Sequence, residues 1–242
     1  MTLRIAVWSG PRNISTALMR SWENRVDCAV IDEPLYAHYL HRTGLPHPGA
    51  AAVIQSQPTD WRQVTESLAG SPPCGSAVWY QKHMTQHLLP HIGRDWMAGL
   101  EHVFLIRDPV QVAASYSRAR PEFNLEDLGL PQQAEIFRYV TEELGQAPRV
   151  LDSRDVLTNP EGMLRALCQS LNLSFSQRML RWPTGPRESD GVWAPHWYTA
   201  VWNSTGFEPY RPRPRDLTAA AQSIADQGRH HYEALYSVRM QA

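Results

Sequence analysis

Cysteine is scarce: Cys28, Cys74 and Cys168 are the only three in 242 residues. They are far apart, form no CxxC pair and leave an odd count, which excludes a disulfide framework and a cysteine zinc site as organising principles. A reducing cytoplasm is the compartment this usage implies. Long apolar runs are also missing, and strand-like residues begin at Leu3, leaving no space for a charged start, an apolar core and a cleavage site. A soluble protein without a membrane partner is expected. Charge of either sign is not in excess, the formal net charge being −1. Broad attraction to nucleic acid is therefore excluded, whereas a local basic cleft for a small anion is compatible.

What the chain does have is alternation. Leu3 to Trp8, Cys28 to Ile31, Ser76 to Tyr80, His102 to Ile106 and Arg149 to Leu151 read as buried strands. Helical patterns lie between them, at about Asn13 to Arg25, Asp60 to Ala69, Val110 to Arg118, Gln132 to Leu144 and Pro160 to Leu171. Such alternation predicts parallel strands with right-handed crossovers in a three-layer α/β/α domain with a central parallel sheet. There is no internal repeat and no linker, so one domain over residues 1–242 is expected, with long loops at about 34–58 and 182–215. The segment from Asp216 to Tyr236 reads as an exposed helix. Ligands in such sheets bind at the C-terminal strand ends, where the first turn, Glu33, Lys82 and Arg107 are expected to meet.

The first of those turns carries the strongest chemistry. In Val7-Trp-Ser-Gly-Pro-Arg-Asn-Ile-Ser-Thr16 a strand enters a turn and then a helix. The helix N-terminus offers unpaired N–H groups and a positive dipole end, Arg12 adds a permanent charge, and Ser15 and Thr16 add hydroxyl donors. A second signal lies at Val103-Phe-Leu-Ile-Arg-Asp-Pro-Val-Gln-Val-Ala-Ala-Ser-Tyr-Ser-Arg118. There Arg107 ends a strand, Asp108 and Pro109 suit the start of a helix, and Ser115 lies two turns in.

With both segments in hand, the chain resembles the sulfotransferases that use 3′-phosphoadenosine 5′-phosphosulfate, which share a P-loop-containing nucleotide hydrolase-like fold. In that family the first turn holds the 5′-phosphosulfate, which the resemblance assigns to Arg12, Asn13, Ser15 and Thr16. An Arg with a Ser eight residues later holds the 3′-phosphate, matching Arg107 and Ser115. Leu151-Asp-Ser-Arg-Asp-Val-Leu-Thr-Asn-Pro-Glu161 is similar to a third family segment, and the likeness covers about residues 3 to 182. Two positions depart from the pattern. Ile14 stands where the family's glycine falls, and the late Gly-rich basic segment has no clear counterpart, Arg187, Arg211, Arg213 and Arg215 being candidates.

The resemblance implies sulfuryl transfer from that donor, with fixed donors stabilising charge on the departing 5′-phosphate. Arg12 suits charge stabilisation, since its pKa is too high for proton donation. Two residues compete for the base that deprotonates the acceptor. Glu33 resembles the strand-end carboxylate of some members; His83, in Lys82-His83-Met84, resembles the histidine of others but falls one position earlier. Lys82 is assigned to the transferred sulfate. Trp193, His196, Trp197, Tyr198 and Trp202 resemble an acceptor-side lid, and the implied acceptor is a small-molecule alcohol or amine. His83, His87 and His91 recur every four residues, but Pro90 interrupts a helix and no acid has ligand spacing, so no metal is expected. Oligomeric state is open, a homodimer included.

Two other function classes fit parts of the chain. Cys28-Ala-Val-Ile-Asp-Glu33 looks like a strand ending in a magnesium-binding acid, as in P-loop kinases using ATP. Against this, Gly10-Pro-Arg-Asn-Ile-Ser-Thr16 lacks the second glycine and the lysine of Gly-x-x-x-x-Gly-Lys-Ser/Thr. A non-catalytic nucleotide-binding module of the same fold is the third reading.

Overall fold

The computed structural model describes residues 2–212 and 217–242. The elements run β1 (Leu3–Ser9), α1 (Ser15–Glu23), β2 (Cys28–Asp32), α2 (Tyr36–Thr43), α3 (Ala50–Ser56), α4 (Trp61–Ala69), β3 (Val78–Met84), β4 (Glu101–Ile106), α5 (Pro109–Tyr116), α6 (Leu130–Arg138), β5 (Arg149–Asp152), α7 (Ser153–Thr158), α8 (Pro160–Ser170), α9 (Ala194–Trp197), α10 (Thr199–Trp202) and α11 (Ala219–Tyr236). The strands form one five-stranded sheet in the order β2-β3-β1-β4-β5. β2 is parallel to β3 and β4 to β5, the α/β architecture that strand–helix alternation predicts.

The chain divides into two compact units. The first contains the residues up to Val7, Thr16–Glu101 and Ser176–Phe207; the second contains Trp8–Ser15, His102–Phe175 and the described residues of Glu208–Ala242.

In the first unit all seven residues of β3 are buried. The strand therefore continues through Gln81, Lys82 and His83, beyond the Tyr80 end that its apolar run suggests. Buried polar groups need partners, and Gln81 Nε2 donates to the Leu68 carbonyl at 2.8 Å. The Gly- and Pro-rich stretch at 34–58 is not a bare loop but contains α2 and α3. Tyr36, Ala37, Tyr39 and Leu40 of α2 pack with Val53 of α3 and with Trp193, Ala194 and Tyr198. The stretch beginning at Trp182 likewise holds α9 and α10.

In the second unit Asp108 caps α5 by accepting from the Val110 and Gln111 N–H groups, with Pro109 in the first turn. Asn159 caps α8 in the same way, ahead of Pro160. The last helix, α11, is not wholly exposed: Ala221, Ala225, Gly228, Tyr232 and Leu235 make a buried stripe at helical spacing that packs on α5 and α6. Asp216, the start expected for this helix, lies outside the described residues.

Candidate functional site

The turn between β1 and α1 is strained where it is most informative. Arg12 has φ 60° and Ile14 φ 56°, left-handed values that L-residues avoid and β-branched ones avoid most. Ile14 thus adopts the conformation that a glycine would take without cost. Gly10 serves a different purpose, because a Cβ there would sit 2.3 Å from the Leu128 carbonyl oxygen. Positive φ at Arg12 and Ile14, flanking Asn13, is the kind of alternation that turns successive N–H groups into an anion-binding concavity. Backbone strain of this sort collects at functional sites.

Side chains hold the turn in place. Asn13 is buried, and its Nδ2 donates to the Leu105 carbonyl of β4 at 2.5 Å, so its amide ties the turn to the sheet. Arg107 Nη1 donates to the Arg12 carbonyl at 2.7 Å. Arg12 Nε donates to Ser115 Oγ at 2.9 Å. The two segments singled out by sequence, the first turn and the Arg107/Ser115 pair, therefore meet within the second unit. Ser15 is buried and half-buried Thr16 follows it in the first turn of α1.

A separate set of groups gathers around Lys82 in the first unit. Parallel register places Asp32 beside Lys82. Lys82 Nζ lies 2.7 Å from Asp32 Oδ1, 2.6 Å from Glu33 Oε1 and 2.7 Å from the Tyr198 hydroxyl. Tyr198 donates to Asp32 Oδ2 at 2.6 Å, and Trp193 Nε1 donates to Tyr198 at 3.1 Å. Consecutive strand residues point to opposite faces, so two adjacent acids reach one ammonium only if the strand breaks between them. Glu33, with φ 43°, is that break. Gln57 Nε2 holds the turned backbone at the Glu33 carbonyl, 3.3 Å away.

Asp32, Glu33, Lys82, Trp193 and Tyr198 are all buried, and one ammonium serves two carboxylates. Burial holds the Glu33 carboxyl above its ordinary range; Lys82 pulls it down, but Asp32 adds to the upward push. For Lys82 burial opposes the charge, and the attraction of Asp32 and Glu33 outweighs it, leaving the amine raised well above normal. Burial also raises the Tyr198 phenol, as does Asp32.

His83, although adjacent to Lys82, is on the opposite face of β3 by strand alternation. Its Nε2 is 3.3 Å from Gln81 Oε1 and its ring is tilted against Trp96. His87 instead lies near Glu33, with Nδ1 4.0 Å from Oε2. It is stacked between Tyr36 and Tyr39, and among the described residues Nδ1 has no hydrogen-bond partner. Burial, followed by His47, Lys82 and His83, holds it well below the ordinary histidine value, hence neutral. His91 turns to His38, Nε2 to Nε2 at 2.9 Å. Among the described residues no three His, Cys, Asp or Glu side chains are grouped as metal ligands.

Of the late aromatic residues, Trp193 and Tyr198 are buried in the first unit while His196 is exposed. Trp202 Nε1 donates to Asp190 Oδ2 at 2.9 Å. A pocket of about 180 Å³ in the second unit is lined by Arg107, Gln111, Ser153, Arg154 and three tyrosines, Tyr210, Tyr232 and Tyr236, among others. The acids at its wall are engaged: Asp108 with Arg229 and Asp152 with Tyr232, both at 2.9 Å. Of the candidate basic residues, Arg187 is in the first unit and its backbone N–H donates to Asp190. Arg211 is exposed, and Arg213 and Arg215 lie outside the described residues. The pairing of Asp32 with Lys82 and Tyr198 and the place of His87 beside Glu33 were not legible in the sequence. The signals the sequence did carry were the Asp32-Glu33 end of the β2 run, the recurrence of His83, His87 and His91, and Tyr198 among the late aromatic residues.

The sulfotransferase domain model matches residues 3–229. Two curated relatives from Arabidopsis thaliana, branched-chain-amino-acid aminotransferase-like proteins 1 and 2, are 35% and 32% identical over 95% and 92% of this chain. The chain spans about two fifths of their length, 41% and 39%. Among solved structures, the sulfotransferase domain from the curacin biosynthetic pathway superposes with a TM-score of 0.55 at 18% identity, covering 94% of this chain and 97% of that one. A sulfotransferase from Alicyclobacillus acidocaldarius gives 0.55 at 12% identity, covering 99% and 98%. The fold is the P-loop-like fold of those proteins, and with the domain match across nearly its whole length the chain belongs to the sulfotransferase domain family.

Proposed function

We propose that the chain transfers a sulfuryl group from 3′-phosphoadenosine 5′-phosphosulfate to a hydroxyl or amine of a small-molecule acceptor. The observation that carries this reading is the pair of bonds from Arg107 to the Arg12 carbonyl and from Arg12 to Ser115. It joins a turn suited to a phosphosulfate to an Arg and a Ser suited to a phosphate. Arg154 and the tyrosines of the adjoining pocket offer a further cation and ring faces for the nucleoside.

In the reaction the acceptor oxygen or nitrogen bonds to sulfur while the bond from sulfur to the 5′-phosphate oxygen breaks. The acceptor's proton passes to Glu33, and the negative charge leaves on the 3′,5′-bisphosphate. Arg12 and the N–H groups at the start of α1 stabilise that charge as it develops. Burial suits Glu33 to the base role by raising its proton affinity above that of an ordinary carboxylate. His83, turned from Lys82 and held by Gln81, is less suited. A kinase reading would need the acids at the end of β2 for magnesium, but both Asp32 oxygens are taken by Lys82 and Tyr198.

Thermal unfolding with ligand separates the readings. A ligand at a hundred times its dissociation constant adds about 2.7 kcal/mol, and 3′,5′-adenosine bisphosphate is expected to do so. Stabilisation by ATP with magnesium alone would overturn sulfuryl transfer.

A further inference from the structure

Lys82 is the residue that family likeness assigns to the transferred sulfate, and its geometry points elsewhere. An ammonium has three protons. Those of Lys82 have three acceptors inside the protein: Asp32 Oδ1 at 2.7 Å, Glu33 Oε1 at 2.6 Å and the Tyr198 hydroxyl at 2.7 Å. Contact with a sulfate would break one of these charge-assisted bonds in a buried setting.

The phenol is filled in the same way. It has one proton and two lone pairs; it donates to Asp32 Oδ2 and accepts from Lys82 and from Trp193 Nε1. No proton remains for Glu33 Oε1, 3.4 Å away. Asp32 has both oxygens bonded, so the network closes on itself at every point except one. Glu33 Oε2 takes no part in it and faces His87 Nδ1 across 4.0 Å.

We propose that Lys82, Tyr198 and Asp32 are positioning residues that fix the Glu33 carboxylate by Oε1 and leave Oε2 for the acceptor's proton, with Lys82 making no contact to the sulfate. This rests on the sulfotransferase reading. The groups facing Glu33 are Lys82 and Asp32 from the paired strands, Tyr198, and His87. Removing the single cation among them makes the carboxylate harder to ionise and leaves donor binding alone.

The test is the pH dependence of sulfuryl transfer in Lys82→Met and Tyr198→Phe, with 3′,5′-adenosine bisphosphate binding measured alongside. In Lys82→Met the acidic limb of kcat is expected to move to higher pH and kcat at neutral pH to fall about tenfold or more, with donor KM and bisphosphate affinity within about twofold. Tyr198→Phe keeps the ring and its packing, and is expected to move the limb the same way by a smaller step. A donor KM raised about tenfold with an unmoved limb would return Lys82 to the sulfate and overturn the proposal. An unmoved limb in a folded Tyr198→Phe protein, with kcat within about twofold of wild type, would overturn it also. Wild-type protein that neither binds the bisphosphate nor transfers sulfate fails the functional reading first, and the positioning role falls with it.

Discussion

Arg12 Nε and Ser115 Oγ lie 2.9 Å apart, although 103 residues separate them in the chain. The bond joins the turn after β1 to the second turn of α5 inside the second unit. Because the donor is charged and Ser115 is buried, loss of the hydroxyl removes an interaction of about 1.5–3 kcal/mol. Ser115→Ala is expected to weaken 3′,5′-adenosine bisphosphate binding about tenfold or more by calorimetry. An unchanged affinity in a folded variant would reduce Ser115 to a tie between loop and helix.

The reach of the sequence can be judged from such residues. Arg12, Arg107 and Ser115 were legible because each sits at a fixed offset from a strand end, and the α/β fold was legible from the alternation of periods. β3 was cut short at Tyr80 because apolar periodicity cannot follow a strand whose buried residues are Gln81, Lys82 and His83. α2 was hidden by its own composition: its tyrosines and histidines have modest helix propensity, and the helix is stabilised by packing against Trp193 and Tyr198. Tyr198 and Asp32 are 166 residues apart, and no local pattern encodes such a pairing.

Ile14 carries a measurable strain. At φ 56° a β-branched residue costs about 1–2 kcal/mol against an unstrained backbone. Replacement by Ala and by Gly removes the branched side chain in both cases and leaves them differing only in the Cβ, so the difference between the two variants reads the backbone strain that a Cβ causes at this φ. Ile14→Gly is expected to be more stable than Ile14→Ala by about 1 kcal/mol, the reverse of the usual order. Chemical denaturation reads the difference, and the usual order would show that the turn relaxes.

Gly10 is constrained by space and not by φ. A Cβ 2.3 Å from the Leu128 carbonyl oxygen meets backbone, which cannot swing aside as a side chain can. Gly10→Ala is expected to destabilise the protein by about 1–3 kcal/mol. It is also expected to weaken bisphosphate binding, since the displaced segment leads into Arg12. Unfolding midpoints and calorimetry check both parts, and a near-wild-type protein on each would mean the turn has slack.

Glu33 couples stability to pH in a defined direction. Its folded value lies above its ordinary one, so the stability it contributes is complete below about pH 4.5 and is lost as pH rises through the raised folded value. Glu33→Gln abolishes this loss and leaves Lys82 paired with Asp32. The variant is expected to be more stable than wild type at neutral pH while turnover falls at least about a hundredfold and bisphosphate affinity is unchanged. Near-normal turnover would move the base to another residue, His83 first.

His87 has the opposite sign. Its folded value lies well below its ordinary one, chiefly through burial, so unfolding takes up a proton whenever the pH is below about 6.5. The stability that depends on its neutrality is full above that pH and is lost as the pH falls toward the folded value, at no more than about 1.4 kcal/mol per pH unit for one proton. His87→Phe retains a ring between Tyr36 and Tyr39, 4.5 and 4.7 Å from their centroids in wild type, and removes the proton. Denaturation of both proteins from pH 8 to pH 5 is expected to give curves that run parallel above about pH 7 and diverge below about 6.5 in favour of the variant. The comparison subtracts the other histidines, which both proteins share. Parallel curves throughout would mean that His87 titrates normally, and that the space beside Glu33 Oε2 is open to water.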